Sequence, residues 1–565
     1  MLISFILISC NKDKKQISVQ DSKSKYGGSY VINILRGSPN ALDPVLINSK
    51  HADDISSQIY DRLIDLNEKL ILVPELTKSL PTISDDGLKY IFNLRTDVYF
   101  HDNKCFQDGK GRKMIASDVK YSLLRCCDPR TRSVQFWAFQ DKVKGATAYF
   151  NSINSSKKEI DVPGFKVEND STFIIELITP YSPFIYSLVN SLGFIVPKEA
   201  IDYYKEDYFR NPVGTGPFVF DKWSQNEEII LKRNSKYWGK SSGGEQLPFL
   251  DEIKFTFIKD DKVMFSNFTN GDLSECWNIP TELFKSVVDV NTLKLKNEFI
   301  DFQLQHSAAM LTWFFDMNTV KFPFNNVDVR RSFNFAIDKD KIVKYVLENS
   351  PFSSANNGIT PPVFHGYDVN SINGYKFNVA KAQELLQKAG YKNGVNFPEV
   401  VLTIYPEPRL QQVAEAVQDM LQKNLNIKVK IQQIDFPQLM SQAESGKISF
   451  WGTRWYGDYP DPETYLNLLN GKLVPKSDTL PSYPNSTRYN NEEFNKLFLK
   501  AVQTNDQKLR LDLYKQAEQI AINEAPIIPI TYERHFRLLK KNVRNNPLDA
   551  MARYDLIKEV YLDDN

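Results

Sequence analysis

Histidine and cysteine are scarce, with five of each in 565 residues. The histidines (His51, His101, His306, His365 and His535) are scattered, with no two at metal-ligand spacing, so no metal site is expected. The cysteines form neither a zinc pattern nor a disulfide framework. Cys126 and Cys127 are neighbours, which rarely bridge each other, and whether Cys105 reaches one of them is left open. An excess of either charge is also lacking. The net charge is +1, which offers no electrostatic footprint for nucleic acid. No stretch reaches the roughly 18 consecutive apolar residues of a spanning helix. There is no His-Glu-x-x-His, no phosphate loop and no Gly-x-Ser-x-Gly elbow. The chain is therefore expected not to be an enzyme and to need no cofactor. Carboxylate pairs such as Asp458 and Asp461 leave a hydrolase as a remote alternative.

What is abundant is aromatic. Phenylalanine (37) and tyrosine (27) dominate an aromatic content of 13%. Such residues mostly build cores, and less often line a large ligand cleft. With 42% hydrophobic and 25% charged residues, the rest is ordinary globular composition. The length suits three or four structural units at roughly 150 residues each.

The N-terminus, M-L-I-S-F-I-L-I-S, is a short apolar run ending at Cys10. Leu7-Ile8-Ser9-Cys10 resembles the lipobox of bacterial lipoproteins, in which the signal is removed and the cysteine lipidated. No Lys or Arg precedes the run, which departs from that pattern. Residues 11–26 are polar and suit a flexible tether. The expected product is anchored to a membrane, not inserted in it.

The spacing then predicts a strand over 29–35, a helix over 55–66 from Ile55, Ile59, Leu63 and Leu66, and paired strands over 90–95 and 98–100. Ser117 and Asp118 would cap a helix over 119–126. Residues 165–167 and 173–178 read as a hairpin. Gly214-Thr215-Gly216-Pro217 lacks dinucleotide-loop spacing and opens no helix, so it reads as a turn before strands 218–223 and 228–233. From 309 the order changes to strand 311–318, helix 328–337, helix 379–389 capped by Asn378, and a βαβ unit of strand 400–405, helix 410–424 and strand 427–434. Strand 449–454, helices 492–502 and 507–522 and strand 527–532 follow. Alternation of strand and helix from 309 to 526 implies an α/β lobe, after a strand-richer region with hairpins.

These blocks, in this order, resemble the extracellular solute-binding proteins of the peptide/nickel class, family 5, the receptors of oligopeptide and dipeptide ABC importers. The resemblance covers nearly the whole chain after the tether. It rests on Leu42-Asp43-Pro44, on Asp108-Gly109 followed by Ala116-Ser117-Asp118-Val119-Lys120-Tyr121-Ser122-Leu123, and on Gly214-Thr215-Gly216-Pro217-Phe218 with Lys232-Arg233-Asn234 and Tyr237-Trp238. Its most specific block is Phe324-Asn325-Asn326-Val327-Asp328-Val329-Arg330-Arg331 with Asn334-Phe335-Ala336-Ile337-Asp338. Trp455-Tyr456-Gly457-Asp458-Tyr459-Pro460-Asp461-Pro462 is the block that meets ligand in the family.

The resemblance implies an α/β, two-lobe fold of the periplasmic-binding type II kind, with a hinge and an appended domain. Residues 27–58, 190–305 and 527–565 would form the first lobe, 59–189 the appended domain and 306–526 the second lobe. The signal would occupy 1–10 and the tether 11–26. Hinge crossings are expected near 305–311 and 524–530. The implied role is capture of an extended peptide between the lobes for permease and ATPase subunits, by a monomer lipid-anchored at Cys10 and facing the periplasm or exterior. Nucleic acid is not an implied partner.

In peptide-binding relatives the ligand pairs as a strand with protein backbone. The pairing residues would match Ser38, Pro39 and Asn40 on one side and Arg454, Trp455 and Tyr456 on the other. Asp458 holds the place that binds the peptide α-ammonium. Two departures stand out. The relatives' basic residue before the tryptophan falls at Gly452, while Arg454 comes two residues later; and Pro39 has no N–H to donate. Arg409 is a candidate for the ligand carboxylate by placement alone. Oligosaccharide remains the alternative ligand, since Trp451, Trp455, Tyr456 and Tyr459 could stack on sugar rings.

Overall fold

The computed structural model describes residues 24–34, 37–156, 159–277, 279–477 and 480–563. Cys10, its preceding apolar run and most of the expected tether lie outside the described residues.

The fold is α/β with two lobes. One sheet has the order Ser29–Asn33, Glu252–Thr256, Glu228–Arg233, Phe218–Ser224, with the first pair parallel and the others antiparallel. Alternation along its strands puts Tyr30, Ile32, Ile229, Leu231, Ile253 and Phe255 on one fully buried face. A second sheet is antiparallel, in the order Thr82–Ile83, Lys89–Asn93, Thr172–Glu176, Phe165–Asn169. Its Tyr90, Phe92, Phe173 and Ile175 share one core with the first sheet and with helix Ala116–Cys127.

The third sheet has seven strands, six of them in the order Glu275–Trp277, Ile527–Lys540, Phe302–Met317, Phe450–Tyr456, Val400–Ile404, Val429–Gln433. Val400–Ile404, helix Pro408–Leu425 and Val429–Gln433 form the expected parallel βαβ unit. Val413, Val417 and Leu421 of the helix bury against Leu402, Ile404 and Trp451.

Phe302–Met317 and Ile527–Lys540 are 16 and 14 residues long and run antiparallel. Each serves three cores. Ile528 and Ile530 sit in the βαβ core, whereas Leu538 sits with Phe268 and Cys276 beside the first sheet. Their register breaks between Ala308 and Thr312, opposite Arg534 and Tyr532.

Three local expectations need correction. The helix expected over 55–66 stops at Ser56, and Ile64–Leu66 is a strand. The intervening backbone is bonded elsewhere: Gly216 N donates to Ile59 O (2.9 Å) and Phe218 N to Gln58 O (2.9 Å). Gly214 and Gly216 permit this approach, because a Cβ on Gly214 would lie 2.1 Å from Ile59 O. Residues 98–100 do not pair with 90–95; they face 112–114, through Phe100 N to Arg112 O (3.0 Å) and Met114 N to Val98 O (3.1 Å). Helix Ala116–Cys127 starts before Ser117, and Asp118 bonds back to Ile115 N at 2.9 Å. The four described cysteines, Cys105, Cys126, Cys127 and Cys276, are free thiols.

Candidate ligand-binding cleft

Strand Phe450–Tyr456 carries the block with Asp458. One edge pairs with the long strand, from Met317 opposite Phe450 to Leu311 opposite Tyr456. The other edge meets Val400–Ile404 only where Thr403 faces Trp451. Beyond Trp451 that edge has no strand partner among the described residues, so its backbone is free to take one.

The chain then turns at Gly457, whose N donates to Met310 O (3.0 Å). Thr464 ties the turn together. Its hydroxyl accepts from Trp455 Nε1 and from Asp458 N, each at 3.1 Å, and donates to Asp458 Oδ2 at 3.4 Å.

Tyr456, Gly457 and Asp458 form part of the wall of a cavity of about 760 Å³, within the size range of small-molecule sites. The opposing wall comes from distant segments: residues 48–54, Asn190 and Ser191, Trp277, His535 and residues 551–554. Asn190 Nδ2 donates to Asp458 O across 3.4 Å. Nearby, Tyr181 donates to Glu463 Oε1 (3.0 Å), and Tyr186 stacks on Tyr459 with centroids 6.3 Å apart.

Asp458 is exposed on its cavity side and crowded by protein on its other sides. Burial pushes its carboxyl up to about 6, against the Thr464 bond, which lowers it. No Lys, Arg or His among the described residues forms an ion pair with it. Tyr456 OH lies 3.5 Å from His535 Nε2, which is 3.2 Å from Ala550 O. Burial holds His535 below the usual histidine range. Trp277 meets His535 and Tyr554 edge-on, with centroids 6.0 and 6.2 Å apart.

Behind the cavity lies a buried ion network. Arg62 Nη1 meets Asp555 at 2.6 Å, and Arg553 meets Asp549 at 3.0 Å and Asp65 at 3.1 Å. Burial pushes Asp555 up, but Arg62 and then Arg553 outweigh it and hold that carboxyl well below the carboxylate range. Lys50 pairs with Asp54, whose burial still pushes it up to about 7.

The other expected site residues lie elsewhere. Trp455 packs behind the turn on Thr464. Arg454 is exposed, with its guanidinium 5.6 Å from the Trp313 ring. Arg409 does not face Asp458: it also lies 5.6 Å from Trp313 and pairs with Glu533 at 3.1 Å, so a carboxylate of the protein already occupies it. Ser38 accepts from Trp223 Nε1 (3.0 Å); Pro39 is buried and Asn40 exposed, and none of the three is on the cavity wall. Sequence reasoning missed Trp277, His535, Tyr554 and residues 48–54, which meet Asp458 only through long-range folding. Among the described residues, no group of three His, Cys, Asp or Glu is placed to hold a metal ion, and no helix is long and apolar enough to cross a membrane.

Comparison with known proteins bears on this geometry. The chain is 26% identical over 556 residues to the dipeptide-binding protein DppE of Bacillus subtilis, covering 96% of this chain and 94% of that protein. It is 28% identical over 562 residues to heme-binding protein A of Haemophilus influenzae, with the same coverage. Among solved structures, DppA from Helicobacter pylori in complex with the peptide STSA superimposes with a TM-score of 0.72 at 26% identity, over 95% of this chain and 99% of that one. The murein tripeptide binding protein MppA, in its unliganded open form, shares the fold with a TM-score of 0.77 at 24% identity, over 96% and 98% of the two chains. Residues 72–475 match the family described as bacterial extracellular solute-binding proteins, family 5 Middle. A match over most of the length, on a two-lobe fold with a large cavity, means that the chain belongs to the bacterial extracellular solute-binding proteins, family 5.

Proposed function

We propose that this protein is the substrate-binding component of an ABC importer, capturing extended peptides between its lobes and delivering them to permease and ATPase subunits. The observation that carries this reading is Asp458: a carboxylate on the cavity wall, just past an unpaired strand edge, with no cation among the described residues in an ion pair with it. A peptide supplies both missing partners. Its α-ammonium complements Asp458 and its backbone extends the sheet along residues 452–456. The dipeptide-binding relative and the peptide-bound neighbour support the same ligand class.

Hinge crossings near 305–311 and 524–530 are supported on the first strand by the register break between Ala308 and Thr312. Residues 27–58, 190–305 and 527–565 would form the first lobe, 59–189 the appended domain and 306–526 the second. Ser38, Pro39 and Asn40 lie off the cavity wall and would reach the ligand only on closure of the lobes, with Pro39 leaving the ladder one bond short. Cys10 would carry the lipid that holds a monomer at the membrane, facing the periplasm or exterior.

Calorimetry with trialanine and its N-acetylated form tests the reading. Trialanine is expected to bind, and acetylation, which removes the ammonium, to weaken binding roughly a hundredfold, the order set by leaving one buried charge unpaired. Equal affinities would remove Asp458 from peptide recognition.

A further inference from the structure

The charge and aromatic lining of the cavity deepen the peptide reading, on which this inference rests. Three carboxylates line the cavity, from Asp53, Asp54 and Asp458. Asp53 approaches Arg62 at 3.6 Å through Oδ2, and its Oδ1 is shut off from solvent with no hydrogen-bond partner. The cations on the same wall are committed. Arg62 is held by Asp555 at 2.6 Å, Arg553 by Asp549 at 3.0 Å and Asp65 at 3.1 Å, and Lys50 by Asp54. Asp65, Asp549 and Asp555 are not on the cavity wall. The arginine charges are thus neutralised from behind and Asp54 is matched by Lys50, while Asp53 and Asp458 in front are under-matched.

Trp277, Tyr554, His535 and Tyr456 form a connected aromatic surface on this wall, each ring 6.0–6.2 Å from its neighbour. Aromatic faces attract organic cations through the ring quadrupole, and nearby carboxylates add Coulomb attraction. An anionic side chain entering the same space would meet the under-matched Asp53 and Asp458 and no uncommitted arginine.

We propose that the cavity selects cationic peptides: those carrying a lysine or arginine side chain in addition to the α-ammonium, with that side chain laid on the Trp277–Tyr554 surface and its charge at Asp53. The aromatic wall excludes water from the pair, and the incoming cation donates to Asp53 Oδ2, which Arg62 approaches only at 3.6 Å.

Calorimetry at pH 7.5 tests this with trialanine, the three isomers of trialanine carrying one lysine, and the three carrying one glutamate. The best lysine isomer is expected to bind at least tenfold tighter than trialanine, and every glutamate isomer more weakly than trialanine. Asp53→Asn is expected to shrink the lysine-over-alanine ratio at least fivefold. The wild-type comparison stands alone should that variant fail to fold. Equal affinities for the three classes, or a preference for glutamate, would overturn the charge selection and leave peptide capture intact. Binding of none of the peptides would overturn the peptide reading, and this inference with it.

Discussion

In its proposed role, Asp458 would bind ligand at a cost to the empty protein. Its folded carboxyl stands at about 6, above an ordinary 3.8, because burial favours the neutral form. A raised carboxyl stabilises the fold only while protonated, so that contribution is present at low pH and is lost as pH rises through about 6. At pH 7.5 the ligand-free protein therefore carries an unfavourable charge, which a peptide ammonium relieves. Asp458→Asn is expected to raise the melting temperature of the ligand-free protein at pH 7.5 but not at pH 4. Asp458→Ala is expected to weaken peptide binding about a hundredfold or more, the low end of the roughly 3–5 kcal/mol cost of leaving a buried charge unpaired. Affinity of the wild type should fall as the pH drops below 6. Calorimetry and thermal denaturation check all three; unchanged affinity in the alanine variant would contradict the assignment. This residue and Tyr456 were legible in the sequence because they stand in one contiguous block. Trp277, His535 and Tyr554 were not, since each is hundreds of residues from the other wall or is placed there by a long strand crossing between cores.

At the scale of elements, legibility follows where the backbone hydrogen bonds go. Helices Val379–Lys388 and Glu492–Val502 were readable almost to the residue, because Asn378 and Asn491 cap them and their apolar faces keep helical spacing. The segment after Ser56 has the same spacing but is claimed by tertiary partners: Gln58 Nε2 reaches Tyr554 O at 2.9 Å, and Arg62 enters the ion network. The two long strands were read only over 311–318 and 527–532, since 303–307 and 534–537 are mainly polar, with Gln305 bonded to Arg537 and His306 to Arg534 across the strands. The 214–217 turn shapes the cleft indirectly, by packing against residues 58–60 and so fixing Arg62 behind the cavity. Gly214→Ala would press a methyl against Ile59 O, backbone on both sides. A destabilisation of about 3 kcal/mol in denaturant unfolding is expected, the upper part of the usual overpacking range. A change within 0.5 kcal/mol, the scale of neutral surface substitutions, would mean that the loop can move aside.

At the scale of the whole molecule, the fold class was legible because the order of blocks along the chain is that of the family, and the α/β alternation after residue 309 is strong. What the sequence could not convey is how two long strands, Phe302–Met317 and Ile527–Lys540, stitch the lobes together and bring residues 48–54, 190–191, 277, 456–458 and 551–554 around one cavity. That enclosure, with an unmatched carboxylate on its wall and an open strand edge that reaches it at Tyr456, is the basis for peptide capture. Native mass spectrometry of the purified, untreated protein, followed by denaturation to release what it carries, tests this claim most directly. The account predicts a spread of added masses that fragment as short peptides. A ladder of hexoses, or a single non-peptide mass, would contradict it and leave Asp458 needing another partner.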